Sequence, residues 1–147
     1  VYNDIGEIYS VQGDDFKALD YFKKSLKIVL SVYGENHSQV SSIYDHIGEV
    51  YFAQKDYSKA LYYFEESLKI RLSLFGENHP EVALSYYSIG SLYIIQGDKS
   101  KALNYYEKSL KIRLSVYGEN HPLTKEIMDL INVAANSKVL QSPETTK

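Results

Sequence analysis

A short string of residues recurs three times in this chain at a fixed interval. Gly-Glu-Asn-His occupies Gly34–His37, Gly76–His79 and Gly118–His121, so each copy begins 42 residues after the one before. Other positions keep the same period, among them a glycine, an alanine and a tyrosine (Gly6, Gly48, Gly90; Ala18, Ala60, Ala102; Tyr9, Tyr51, Tyr93). Such a period is typical of proteins whose units bury a core by stacking on one another. The 147 residues therefore predict three tandem units and the start of a fourth.

Each unit predicts two helices joined by a short turn. In the second unit, apolar residues between Val40 and Tyr51 are spaced by three and four positions, which favours an amphipathic helix over residues 38–54. A second helix is predicted over residues 57–75, and it ends before Gly76, because glycine readily adopts a positive φ at a helix end. No alternating strand pattern interrupts these segments. We therefore predict an all-α fold.

The composition excludes several classes of protein. The chain has 16 Lys and Arg against 19 Asp and Glu, so its net charge of −3 gives no basic surface for nucleic acid or an anionic membrane. The absence of cysteine excludes disulfides and thiolate metal sites. The apolar runs are too short to cross a bilayer, and no signal segment opens the chain. We expect a cytoplasmic protein that binds neither nucleic acid nor membrane, and the sequence resembles a piece of something longer.

No pattern of residues predicts catalysis, a metal site or a cofactor. Three histidines (His37, His79, His121) recur at one linker position, but equivalent residues of stacked units lie too far apart to share a metal ion. We interpret them as residues that cap the following helix. His46 stands alone on the first helix of the second unit, and we do not assign it a ligand. We expect no enzyme.

A second pattern identifies the kind of repeat. Armadillo and HEAT repeats have similar lengths, but the spacing of six residues in the first unit differs from theirs and matches the tetratricopeptide signature (Tyr2, Ile5, Gly6, Tyr9, Ala18, Phe22). In the usual signature a proline ends the second helix, whereas here Leu30, Leu72 and Leu114 continue it. This 42-residue form resembles the repeats of kinesin light chains. The resemblance implies a right-handed superhelical solenoid with repeats at about 1–37, 38–79 and 80–121, closed by a capping helix over 122–136.

Two sets of side chains that follow the repeat receive a structural interpretation. Twelve of the 15 tyrosines fall at shared repeat positions, and we expect this aromatic ladder to belong to the core. The basic residues of the second helices (Lys17, Lys59, Lys101, Lys27, Lys69, Lys111, Arg71, Arg113) are expected to form a solvated outer face.

Positions that differ between repeats are the candidates for binding a partner. In tetratricopeptide proteins the first helices line a concave groove, and the resemblance places eight non-repeating residues there (Asn3, Glu7, Asp45, Glu49, Phe52, Tyr87, Ser91, Ile94). The set runs from acidic to apolar, which predicts a peptide or helix with basic groups and an apolar anchor. Tyr87 is the predicted hot spot. As an alternative, the apolar end is covered by the terminal helix, by the tail or by a further repeat.

The resemblance does not extend to the ligands of two related groups. Chaperone co-factors of this superfamily grip a carboxylate with Lys, Arg and Asn, and kinesin light chains present a largely basic groove. Here the matching positions hold Glu7, Asp45 and Glu49, so the groove has the opposite charge.

The two ends of the chain suggest a second function. The helix over 122–136 carries Asn132 in place of the repeat glycine, which is typical of a capping helix, and residues 137–147 are expected to be disordered. The first helix is shorter than its counterparts and leaves an open end. The alternative function is therefore a structural array or homo-oligomer built by stacking repeats end to end.

Overall fold

The computed structural model describes residues 1–137, and these residues form seven α-helices and no strand. The helices are α1 (Tyr2–Val11), α2 (Asp15–Tyr33), α3 (Ser38–Ala53), α4 (Tyr57–Phe75), α5 (Pro80–Ile95), α6 (Lys99–Tyr117) and α7 (Pro122–Asn136). The predicted all-α repeat fold is confirmed. Of the tail predicted to be disordered, all but Ser137 lies outside the described residues.

The helices pack in the order in which they follow one another along the chain. Each first helix packs on the second helix of its own repeat, and α2, α4 and α6 then pack on the first helix of the next unit. The largest core cluster runs through the first two repeats into α5, and Phe22, Ile47 and Leu92 are fully buried within it. One core therefore spans the repeat boundaries, so no repeat buries its apolar face alone.

Small residues let the two helices of a repeat approach closely. A Cβ atom placed on Gly48 would lie 2.7 Å from Cε1 of Phe64, and Ala60 on the facing helix is completely buried. Gly6 and Gly90 stand in the same relation to Phe22 and Tyr106. The periodic glycine is therefore explained by close helix packing.

The linker residues end one helix and cap the next. Gly76 has φ of 77° and ψ of −178°, a backbone conformation open essentially to glycine alone. Nδ1 of His79 accepts a hydrogen bond from the backbone N–H of Glu81 at 3.1 Å, and the imidazole stacks on Phe75 with ring centroids 4.2 Å apart. His37 and His121 make the same cap. The predicted capping role of the linker histidines is confirmed.

The turn between α3 and α4 contains a residue in a strained conformation. Lys55 has φ of 63°, whereas the equivalent positions of the other turns hold Gly13 and Gly97 with φ of 76° and 82°. Because a Cβ atom disfavours this conformation, Lys55→Gly is expected to raise the free energy of unfolding by about 0.5–1 kcal/mol. Urea denaturation would measure the change. Gly97→Lys is the matched reverse variant, and stabilisation of the chain by Gly97→Lys would contradict the explanation.

The tyrosine ladder is only partly in the core. Tyr51 and Tyr106 are buried, as predicted, but Tyr2, Tyr33 and Tyr117 are exposed, so the expectation is wrong for these three. Each repeat instead holds a stacked tyrosine pair, such as Tyr51–Tyr63 with ring centroids 5.7 Å apart. A lysine lies over one ring of the pair in every repeat (Lys17 over Tyr9, Lys59 over Tyr51, Lys101 over Tyr93). In each pair, one ring therefore contacts both a second tyrosine and a lysine ammonium group.

Candidate functional site

All eight residues predicted to line the groove lie on the first helices α1, α3 and α5, and none of them is fully buried. Glu7 and Glu49 are exposed, and the other six are half-buried. We call the surface formed by α1, α3 and α5, together with the corresponding face of α7, the first-helix surface. Its residues fall into an acidic part on α1 and α3 and an apolar part centred on α5.

A polar cluster joins α1 to α3 at the acidic part of the first-helix surface. The side-chain amide of Asn3 donates to Oε1 of Glu7 at 2.8 Å, and its Oδ1 lies 3.2 Å from Nδ1 of His46. Nε2 of His46 is 3.6 Å from the same carboxylate oxygen of Glu7. The structure therefore brings two predicted site residues together and adds His46, to which the sequence analysis assigned no role.

Glu49 lies one repeat beyond Glu7 on the same surface. Although Glu49 is exposed, partial desolvation of its carboxyl raises the pKa above its ordinary value, the nearby His46 opposes the shift, and Asp45 and Glu7 add to it. A positively charged group of a partner would favour the ionised carboxylate and so lower this pKa. Glu49 is thus a suitable position for binding a basic group.

Asp45 already has a cationic partner within the chain. Its Oδ2 lies 2.6 Å from Nη1 of Arg71, whose side chain is only 4% exposed, and Nη1 also donates to Oγ of Ser85 at 2.8 Å. Nη2 of Arg71 lies 3.0 Å from Oε2 of Glu81. This guanidinium ties α3, α4 and α5 together. The expectation that Arg71 lies on a solvated outer face is wrong, because three side chains from α3 and α5 surround its charge.

Arg113, one repeat after Arg71, is buried in a different way. Its guanidinium carbon lies 5.2 Å from the ring centroid of Tyr87, and its Nη1 donates to the backbone carbonyl of Leu123 at 2.9 Å. The nearest carboxylate, on Glu126, is 3.8 Å away and half exposed. The solvated position expected for Arg113 is wrong as well. Tyr87, the predicted hot spot, has one ring face occupied by this cation.

Comparing the repeats could have distinguished the buried basic residues from the exposed ones. The position of Arg71 and Arg113 holds Val29 in the first repeat, which indicates a buried site. The positions of Lys17, Lys59 and Lys101 hold lysine throughout, and these three residues are exposed as predicted.

The apolar part of the surface combines packed and exposed side chains. Phe52 meets Tyr57 edge-on with ring centroids 5.8 Å apart, and the hydroxyl of Ser91 lies 3.0 Å from that of Tyr106. Leu84 and Ile95 on α5 are 43% and 49% exposed. Val133 of α7, which is in register with Ser91 and was not predicted, is 68% exposed. These three aliphatic side chains are available for contact with another molecule.

Residues 1–137 contain no group of three or more His, Asp or Glu residues arranged to hold a metal ion. Within the same part of the chain, no helix is long and apolar enough to cross a membrane.

Comparison with known proteins places the chain in a family. The tetratricopeptide repeat family matches residues 1–73 and again residues 42–115. The chain belongs to the tetratricopeptide repeat family. No curated protein matches the sequence. The tetratricopeptide repeat identified from the spacing of Tyr2, Gly6 and Ala18 is thus confirmed.

Solved structures with the same fold include kinesin light chain-like tetratricopeptide proteins. BtubC (BKLC) from P. vanneervenii superposes with a TM-score of 0.82 at 24% identity, over 90% of this chain and 53% of BtubC. A putative kinesin light chain from Podosopora anserina with nearly identical TPR-like repeats gives a TM-score of 0.78 at 16% identity, over 90% of this chain and 63% of the other. This tetratricopeptide chain therefore spans only about half to two thirds of these structures.

A shorter tetratricopeptide structure matches over most of both chains. The N-terminal domain of stress-induced protein-1 (STI-1) from C. elegans gives a TM-score of 0.62 at 21% identity, over 88% of this chain and 91% of that domain. At such identities the likeness establishes the fold shared by these tetratricopeptide proteins.

Proposed function

We propose that this chain binds a peptide or helical segment of a partner protein along the first-helix surface. Tetratricopeptide repeats generally mediate protein–protein interactions. The observation that carries the proposal is the distribution of exposed side chains on that surface. Glu7 and Glu49 present exposed carboxylates at one part, while Leu84, Ile95 and Val133 present aliphatic side chains at the other.

The chemistry of the partner follows from the exposed charged and apolar side chains of the first-helix surface. The Asp45 carboxylate is held by Arg71, so Glu7 and Glu49 are the positions for basic side chains of the partner. An apolar residue of the partner would contact Leu84 or Ile95 on α5, beside Ile94. The proposed ligand is therefore a segment with basic residues at one end and an aliphatic or aromatic residue at the other.

The proposed binding depends on pH in a definite direction. The pKa of Glu49 is raised by partial desolvation, so its carboxylate forms at a higher pH than that of an ordinary glutamate. A basic peptide needs the ionised form. We therefore expect affinity to fall as the pH is lowered through the titration of Glu49, and Glu49→Gln is expected to remove that part of the dependence.

The tetratricopeptide repeat family is a non-catalytic scaffold fold. As part of the proposal, the chain acts by binding and has no catalytic activity, cofactor, nucleic-acid ligand or membrane ligand of its own. The cytoplasmic location stays a prediction, which fractionation of cells expressing the tagged protein would check.

Charge reversal on the first-helix surface is expected to weaken the binding of selected peptides. A random peptide-display library would be enriched on the chain, and the winning peptides would be titrated by calorimetry. We expect basic-plus-apolar winners whose Kd rises about tenfold or more for Glu49→Lys, because the reversal replaces attraction by repulsion. Leu84→Asp is expected to weaken the same peptides by removing the apolar contact.

Matched variants separate this surface from the rest of the molecule. Glu65→Lys makes the same charge change at an exposed position of α4, outside the first-helix surface. It is expected to leave Kd within about twofold, because salt screens an exposed charge that lies away from the bound peptide. Winners with acidic sequences, or equal losses for Glu49→Lys and Glu65→Lys, would contradict the proposed site.

A second candidate function is end-to-end assembly of copies of this chain. The observation that favours it is a set of exposed apolar residues around the turn from α1 to α2, where Ile8, Val11 and Phe16 are 56%, 90% and 85% exposed. Light scattering over a range of concentrations would detect assembly. A concentration-dependent mass that Val11→Asp and Phe16→Asp abolish would favour this function over the groove.

A further inference from the structure

The three interfaces between successive helix pairs carry different side chains at corresponding positions. We call each set an interface triplet, made of one residue from a first helix, one from the second helix of the same repeat and one from the following first helix. In chain order the triplets are Asn3, Val29 and Ile43; Asp45, Arg71 and Ser85; and Tyr87, Arg113 and Ile127, each 42 residues after the last.

The middle triplet is an ion pair completed across the repeat boundary. Arg71 contacts the Asp45 carboxylate in its own repeat, and it donates to Ser85 and pairs with Glu81 of the following repeat. Arg71 and Ser85 are 4% and 2% exposed. The Ser85 hydroxyl and Nη1 of the guanidinium therefore pair where both side chains are buried, while Nε of Arg71 has no hydrogen-bond partner among the described residues.

The first and last triplets contain no such ion pair. Val29 and Ile43 line one cavity with Asn3, and the amide of Asn3 bonds instead to Glu7. In the last triplet Arg113 lies over the Tyr87 ring and donates to a backbone carbonyl, while Ile127 is completely buried. One interface is thus aliphatic, one ionic, and one held by a cation over an aromatic ring.

Stacking in a wrong order would remove buried polar contacts. Packing of α2 directly on α5 would place Val29 against the hydroxyl of Ser85 and remove the hydrogen bond that this hydroxyl receives from Arg71. Packing of α4 on α7 would place Arg71 beside Ile127 and exchange its contacts with Ser85 and Glu81 for the longer ones that Arg113 makes with Leu123 and Glu126. The first mismatch carries the desolvation cost of a buried hydroxyl that loses its partner, and the second weakens the pairing of a buried cation.

The rest of the interface does not discriminate between repeats. Other core positions hold the same residue type in successive units (Leu26, Leu68 and Leu110 on the second helices; Ile47, Ile89 and Ile131 on the first helices), so any second helix offers much the same apolar surface to any first helix. We propose that the interface triplets fix the order in which the repeats stack, so that each repeat favours its own neighbour over the repeats that do not correspond to it, in the same chain or in a second copy.

The test measures how the full chain refolds after substitutions give two interfaces the same triplet. Because the sequence has no cysteine, Lys23→Cys and Lys111→Cys on α2 and α6 can carry two spin labels at exposed positions. The parent is expected to refold as a monomer with one narrow label distance. Asp45→Asn/Arg71→Val/Ser85→Ile copies the first triplet into the second interface. We expect this variant to show normal helical circular dichroism, additional label distances and at least a threefold rise in oligomer.

An exchange variant provides the control for composition. Adding Asn3→Asp/Val29→Arg/Ile43→Ser to the same chain swaps the two triplets, so the interfaces differ again. The proposal expects this chain to return to one label distance and to the parent's oligomer fraction. It is overturned if the first variant refolds like the parent, or if the exchanged chain misorders as much as the first variant.

A milder variant is used if Asp45→Asn/Arg71→Val/Ser85→Ile abolishes the helical circular dichroism signal. Glu81→Gln/Ser85→Ala removes the polar groups that α5 offers to Arg71 and keeps the Asp45–Arg71 pair. Additional label distances with a normal helical signal would support the proposal, and a single distance like that of the parent would overturn it.

Discussion

Replacing Arg71 with methionine is expected to lower the free energy of unfolding by about 3–5 kcal/mol, because the substitution leaves a buried carboxylate without its cation. The Asp45 side chain is 18% exposed and lies 2.6 Å from the guanidinium that would be removed. Ser85, which is buried, would lose its partner at the same time. Urea denaturation at pH 7, followed by circular dichroism, would measure the change.

Arg113→Met is the matched control one repeat later. Arg113 is equally buried, but it faces the uncharged ring of Tyr87, and its nearest carboxylate is 3.8 Å away and half exposed. We expect a loss of at most about 2 kcal/mol, since no carboxylate becomes buried and unpaired. Adding Asp45→Asn to Arg71→Met should recover part of the loss. Equal losses at Arg71 and Arg113 would contradict this account of the buried charges.

Gly48→Ala is expected to lower the free energy of unfolding by about 1–3 kcal/mol through overpacking. The added methyl group would lie 2.7 Å from the ring of Phe64, which is 5% exposed and has little room to move. The higher helix propensity of alanine opposes the loss without cancelling it. Thermal unfolding would show the direction, and urea denaturation the magnitude.

A double-mutant cycle tests whether the contact with Phe64 is the cause. Phe64→Leu shortens the facing side chain, so Gly48→Ala should cost less in that background than in the parent chain. Glu49→Ala, at the neighbouring exposed position of α3, is expected to change stability by no more than about 0.5 kcal/mol. If the losses of stability from Gly48→Ala and Phe64→Leu simply add, the contact with Phe64 is not the cause of the effect of Gly48→Ala.

The elements that recur with the repeat could be predicted because their causes are local. The period gave the helices, and it also identified Gly48 as a packing residue and His79 as a cap, since spacing and backbone conformation decide both. The positions of α4 and α7 agree with the predicted ranges to the residue. A sequence with three copies of each element gives three observations of the same local rule.

The partners of Arg71 could not be predicted in the same way, because they come from two different helices. Asp45 precedes it on α3 of the same repeat, and Glu81 and Ser85 follow it on α5, so the full set of contacts exists only after two repeats have stacked. The tyrosine ladder shows the converse error. Periodicity identified residues at shared repeat positions, but it could not tell a buried ring such as Tyr51 from an exposed one such as Tyr33.

The stacked tyrosine pairs have a consequence for how the chain can be observed. Tyr9–Tyr21, Tyr51–Tyr63 and Tyr93–Tyr105 each join the two helices of one repeat, and the chain has no tryptophan. Six of the 15 tyrosines therefore make the near-ultraviolet spectrum of the protein sensitive to whether helix pairs are intact. An optical label placed across a repeat boundary would report instead on the contact between one repeat and the next.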